Sequence, residues 1–215
     1  MLTLQPPISS EDKTDSDLSS FAVGASELSG DRNKPLNTVR LRALTPGDWP
    51  IVRYVSFAMA YDDLSVLFDE AGLLLTKPVA AWQQATRALA HPANTYWIVE
   101  DGNLPVGSLY VRVCTPEVSE IGNVWVAPRY RRRGLARCLI ASALRRLRAQ
   151  HIRTVRLNVA PSNQAAQLLY RQLGFAPTGR ISRTPQGTRY REFVAPLAAS
   201  DRSTDPCAIR RPIMH

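Results

Sequence analysis

Acidic residues are missing where basic ones are densest. Between Glu120 and Glu192 the 215-residue chain has no Asp or Glu and fifteen arginines. Lysine is scarce as well, at three in the whole chain, so part of the excess reads as a bias toward arginine codons. The remainder creates a field that attracts anions, whether a nucleotide cofactor, nucleic acid or an acidic partner. Cysteine is sparse: Cys114, Cys138 and Cys207 are widely spaced, with no CxxC and no clustered histidines. That argues against a disulfide framework and against a zinc site. No metal-ligand or catalytic spacing in the sequence involves His91, His151 or His215, and no internal repeat is evident. No apolar run reaches the roughly 18 residues of a membrane span. The opening MLTLQPPISSEDKTDSD lacks the basic and apolar regions of a secretory signal. These absences predict a soluble, cytoplasmic protein without a membrane partner.

What is present divides the chain in three. Residues 1–37 carry three basic and six acidic side chains among Ser, Asp, Pro and Gly. They hold too little apolar surface to offset the entropy of ordering, which predicts a disordered tail. Residues 198–215 show no sustained period and read as a flexible second tail. Residues 38–197 keep the charge, with 21 basic against 10 acidic side chains, a net +11.

Within that domain, TVRLRAL (38–44) alternates as a half-buried strand, and Thr45-Pro46-Gly47-Asp48 punctuates the start of a helix running toward Tyr61. PVAAWQQATRALA (78–90) has helical spacing. TYWIVED, the turn DGNLP, VGSLYVRVC and VSEIGNVWVAP read as three successive strands, the last ending near Val126. A helix from Leu135 to about Gln150, a strand TVRLNVA (154–160), a helix closing at Gly174, and a final strand pair follow. The order β-α-α-β-β-β-α-β-α-β-β is that of a mixed α/β domain.

The sharpest feature is WVAPRYRRRGLAR (125–137), five arginines around Gly134 at a strand-to-helix junction. A helix starting there presents its first amide groups, unpaired, at the positive end of its dipole, where an anion satisfies them. Gly134 has no Cβ to hold a pyrophosphate off, Ala136 is small, and the arginines add attraction. The loop is neither GxxxxGK[ST] nor GxGxxG, which weakens nucleoside-triphosphate and dinucleotide readings.

Arg131-Arg132-Arg133-Gly134-Leu135-Ala136 resembles the (Gln or Arg)-x-x-Gly-x-(Gly or Ala) cofactor loop of the GCN5-related N-acetyltransferases, or GNAT family. NVAPSNQAAQLLYRQLGF resembles that family's second signature, N-x-x-A-x-x-L-Y-x-x-x-G-F. The resemblance covers about residues 38–195. It implies an α/β (α+β) fold with a mixed, mostly antiparallel sheet flanked by helices, and two splayed parallel strands that admit the cofactor. It implies acetyl-CoA as cosubstrate and an amine on a small molecule or peptide as acceptor, in a monomer or homodimer. Amides from Arg131 through Arg132, Arg133, Gly134 and Leu135 to Ala136 would hold the pyrophosphate. The main chain near Val126 would pair with the pantetheine arm. Asn163 would reach the cofactor, Tyr170 would protonate the departing thiolate, and Glu120 would serve as base through water. Some relatives that acetylate ribosomal proteins place a glutamate where this chain has Asn158, a departure that counts against an acceptor of that type.

Each assignment has a plainer counterpart. Tyr170 shares a helix face with Ala166 and Leu173, as a core tyrosine would. Asn163 suits a helix cap, and Glu120 suits an ion pair with arginine. Asp62, Asp63, Asp69 and Glu70, between the first two helices, either attract a cationic amine or are simply solvated. Two other functions stay open: a nucleic-acid or ribosome-binding protein on an inactive scaffold, and a coenzyme A sensor without turnover. No aromatic-and-basic pattern of a known RNA module accompanies the arginines.

Overall fold

The computed structural model describes residues 39–62, 74–91, 94–183, 187 and 189–197. Both expected tails, and Asp63, Asp69 and Glu70, lie outside the described residues. The elements come in the expected order. β1 (Val39–Ala43) leads to α1 (Trp49–Asp62) and α2 (Val79–Leu89), and then to β2 (Asn94–Asp101), β3 (Leu104–Val113) and β4 (Val118–Val126). After them come α3 (Leu135–Ala149), β5 (Thr154–Val159), α4 (Gln164–Gln172), β6 (Ala176–Arg183) and β7 (Arg189–Pro196).

The junction before α1 is tied down by charge. Arg42 on β1 bridges Asp48 at 2.8 Å and Glu100 on β2 at 2.7 Å, while Asp48 also accepts from the Thr45 amide at 2.6 Å. The hairpin turn between β2 and β3 is tighter than DGNLP suggests. Only residues 102–103 turn, with Gly102 at φ 64°, because Leu104 and Pro105 already pair with Asp101 and Glu100. A register shift beside Glu100 accommodates the proline, which has no amide to give the ladder.

The strands form one seven-stranded sheet in the order β1-β2-β3-β4-β5-β7-β6. Every pair is antiparallel except β4 with β5. Parallel neighbours need a crossover, and α3 supplies it. Its buried residues Leu135, Leu139, Ile140, Ala143, Leu144 and Leu147 fall on one helical face and pack into a cluster with Val99, Leu109, Ile121, Leu157 and Phe193. Strand side chains alternate between faces, so Ile98 and Tyr96 face the other way. There they join Val52 of α1 and Trp82 of α2 in a second cluster. Helices therefore cover both faces of the sheet. Among the described residues, no helix is long and apolar enough to cross a membrane.

Candidate active-site cleft

The parallel pair parts in the middle of the sheet. β4 and β5 pair from Val118 with Thr154 to Ile121 with Leu157 and no further, although β4 continues to Val126 and β5 to Val159. The cause lies on the far side of β4. There the register with β3 shifts so that Leu109 lies opposite two residues, Asn123 and Val124. Asn123 adopts a left-handed φ of 49°, and its carbonyl accepts from Ser108 Oγ at 2.8 Å. Such a bulge bends the strand that carries it, and the bend takes Val124–Val126 away from β5.

The gap is a cleft of about 1190 Å³, lined by β4 from Glu120 to Val126, by Asn158, Val159 and Ala160 after the pairing ends, and by Asn163 and Tyr170 of the following segment. Main-chain groups of alternate residues on an antiparallel strand point to opposite sides. The amide of Ala127 bonds back to Val106 on β3 at 2.9 Å, so the groups of Val126 point into the cleft. There Val126 O accepts from Arg131 Nε at 2.8 Å.

After Val126, Pro128–Tyr130 form a short 3-10 turn that the sequence pattern did not signal. The loop then reaches Gly134, the N-cap of α3, at φ 82° and ψ −2°. The first hydrogen bond of α3 runs from the Cys138 amide to Gly134 O at 2.9 Å. The amides of Leu135, Ala136 and Arg137 precede it, in the first turn, where an α-helix has no carbonyl of its own to receive them. Arg132 also takes a positive φ of 61°, so left-handed residues recur along the loop. The arginines are not uniformly spread toward solvent. Arg131 turns back to Val126 and Asp62, Arg133 lies over the Tyr130 ring at 5.6 Å, and Arg137 donates to Gln172 on α4.

Tyr170 is 6% exposed, packs against Phe175 and Phe193, and forms part of the cleft wall. Burial pushes its hydroxyl up to about 12, so the proton stays on oxygen throughout the neutral range. Asn163 caps α4, accepting from the Ala166 amide at 3.0 Å, and also lines the cleft. The capping use and a place beside the cleft therefore coexist.

Glu120 stands in the cleft wall where the strands still pair. It is the middle of a row across three strands, opposite Arg112 on β3 and Arg156 on β5. Its Oε2 accepts from both, at 3.0 and 3.1 Å. Asp62, at the end of α1, is not a free carboxylate. It accepts from Trp125 Nε1 at 3.0 Å and from Arg131, joining α1, β4 and the glycine loop. Sequence reasoning passed over Arg112, Arg156, Ser108 and Trp125 because register and bulge position give them their roles, and no local spacing marks either.

N-acetyltransferases are among the solved structures that share this fold. The ribosomal-protein-S18-alanine N-acetyltransferase of Escherichia coli superimposes with a TM-score of 0.56 at 19% identity, over 77% of this chain and 98% of that one. The spermidine N-acetyltransferase of Vibrio cholerae, solved with CoA and spermine, gives 0.58 at 19% identity over 74% and 96%. Ard1 from Thermoplasma volcanium gives 0.57 at 18% identity over 75% and 99%. The chain belongs to the acetyltransferase family known as GNAT: the family model described as "Acetyltransferase (GNAT) family" matches residues 57–175. That span holds the glycine loop and the α4 signature and leaves out β1, β6 and β7. A comparison with curated proteins gives no match.

Proposed function

We propose that residues 38–197 form an acetyl-CoA-dependent N-acetyltransferase that acetylates a primary amine. The observation that carries this reading is the parted β4–β5 pair, with the main chain of Val126 turned into the gap and a glycine-started helix following in the chain. Coenzyme A fits these residues. A Cβ built on Gly134 meets nothing within 4 Å, so the loop is open to a phosphate, and the early amides of α3 supply donors. Arg131, Arg132 and Arg133 add charge. The free edge of β4 offers strand-like hydrogen bonds to the amides of the pantetheine arm. The Arg131 side chain gives up Val126 O as that arm pairs.

Bound there, acetyl-CoA supplies a thioester whose carbonyl carbon bonds to the amine nitrogen as its bond to sulfur breaks. The protein handles the protons. Glu120, held at the wall by Arg112 and Arg156, takes the amine proton through water. Tyr170 gives its proton to the sulfur and regains one from solvent. Main-chain N–H groups between the bulge and Val126 polarise the acetyl oxygen.

The test is thiol release from acetyl-CoA across a panel of amines, antibiotics and peptides, with release expected for at least one acceptor. Silence with every acceptor, despite coenzyme A binding, would identify a sensor. Tight RNA binding with a steep salt dependence and no coenzyme A binding would identify the nucleic-acid alternative.

Glu120→Gln is expected to lower kcat/KM for the amine about tenfold or more near neutral pH. The deficit should narrow as pH rises, because amine that is already neutral needs no base. A deficit that stays constant with pH would remove Glu120 from proton transfer.

A further inference from the structure

Beside the cleft lies a second, smaller cavity of about 370 Å³, within the range of small-molecule sites. Tyr54, Phe57, Ala58 and Tyr61 line it from α1, and Asp62, Trp125 and Pro128 complete it. The α1 contributors recur at i, i+3, i+4 and i+7, one face of the helix. Val52 and Val55 are buried on the sheet side of the same helix. The helix thus presents an aliphatic face to the core and an aromatic face to the cavity.

Phe57 on that second face also packs against Trp82 of the core, with ring centroids 6.5 Å apart, but folding does not account for Tyr61. Tyr61 is 74% exposed, although an aromatic ring gains most when covered. Trp125 meets Tyr54 edge-on, with ring centroids 5.9 Å apart, leaving aromatic surface on two sides of the cavity. Trp125 and Asp62 also line the main cleft, so an amine reaching across them from the cavity enters the space beside Val126.

The charge of the cavity narrows its occupant. Among the described residues its one carboxylate is Asp62, already engaged by Arg131 and the Trp125 indole. Residues 38–197 carry a net +11. A polyamine would find a balanced carboxylate inside a repelling field, whereas a ring carrying one amine finds aromatic walls and meets less repulsion. Building on the acetyl transfer proposed above, we infer that this cavity is the acceptor subsite and that it takes an arylalkylamine: a primary amine on a short linker from an aromatic ring, with the ring against Tyr54, Phe57, Tyr61 and Trp125.

The experiment compares 2-phenylethylamine, butylamine and spermidine as acceptors, and measures amine binding to the full-length chain with coenzyme A by calorimetry. The expected result is a kcat/KM for 2-phenylethylamine about tenfold or more above that for butylamine. Tyr61→Ala should collapse that ratio several-fold, and Tyr61→Phe should restore it. Butylamine or spermidine used as well as 2-phenylethylamine would overturn the inference, and so would a ratio unchanged in Tyr61→Ala. Calorimetry separates this from a failure of the acetyl-transfer reading. If no amine is acetylated, 2-phenylethylamine binding that weakens in Tyr61→Ala upholds the subsite alone, and absence of binding overturns the subsite too.

Discussion

Tyr170→Phe is expected to lower kcat for acetyl transfer by about 10²- to 10⁴-fold, the range of a positioned general acid. The Michaelis constant for acetyl-CoA should stay within about twofold, because the group removed acts only as the bond to sulfur breaks. The substitution is gentle: a phenyl ring keeps the contacts with Phe175 and Phe193 and loses only the hydroxyl. A hydroxyl near 12 is a weak donor to a thiolate in water, since an ordinary thiol titrates at about 8.5. Inside the cleft, the burial that raises the tyrosine also raises a sulfur anion confined beside it, and the mismatch shrinks. The pH profile adds a second test. Because burial raises the hydroxyl, it remains protonated as pH climbs, and activity lost through its ionisation begins only on the approach to about 12. Rates should therefore rise from about pH 6 to pH 9 with amine deprotonation and show no falling limb in that range. Wild-type turnover in Tyr170→Phe would remove the assigned role. A falling limb near pH 9 that disappears in the variant would contradict the retained proton.

Gly134→Asp is expected to weaken coenzyme A binding about 100-fold more than its control, Gly134→Asn. At φ 82° the position is left-handed, which strains an L-residue by about 1–2 kcal/mol. Asn and Asp tolerate that region better than most residues, so both variants should fold with similar, modest losses of stability. A Cβ here meets no protein atom within 4 Å, so crowding inside the protein adds nothing. The difference between the two variants isolates charge. A carboxylate about 5 Å from a phosphate charge costs about 3 kcal/mol at an effective dielectric of about 20, roughly a hundredfold in affinity. Asn, which is uncharged, should lose about tenfold through bulk alone. Equal affinities for the two variants, measured by calorimetry with similar melting temperatures, would show that no phosphate approaches Gly134.

The chain announces its elements well because its periodicities are clean. The apolar face of α3 repeats through Leu135, Leu139, Ala143 and Leu147, and the same residues are buried on the sheet. Asn163 and Gly174 mark the limits of α4 by their capping chemistry, and the structure has Asn163 as cap and Gly174 at φ 88°. The start of α3 was legible for the same reason: Gly134 directly before an apolar helical repeat marks the helix start from local chemistry alone. The cleft itself was not legible. Its opening depends on a bulge at Asn123 and Val124, which exists only because β3 and β4 pair in a particular register. Nothing in VSEIGNVWVAP signals that two of its residues will oppose one.

Side-chain partnerships divide along the same line. The sequence alone established the order of elements, the helix-opening Gly134 and the tyrosine-bearing face of α4, since each follows from interactions among residues only a few positions apart. Tertiary structure alone decided that Glu120 stands between Arg112 and Arg156, and that Asp62 is bound to Trp125 and Arg131 instead of lying free in a polar connection. It also decided that the aromatic residues of α1 line a cavity beside the cleft. The ion pairs and hydrogen bonds among these join residues up to 69 positions apart. They are fixed by sheet register and by packing across the fold, which local spacing does not encode.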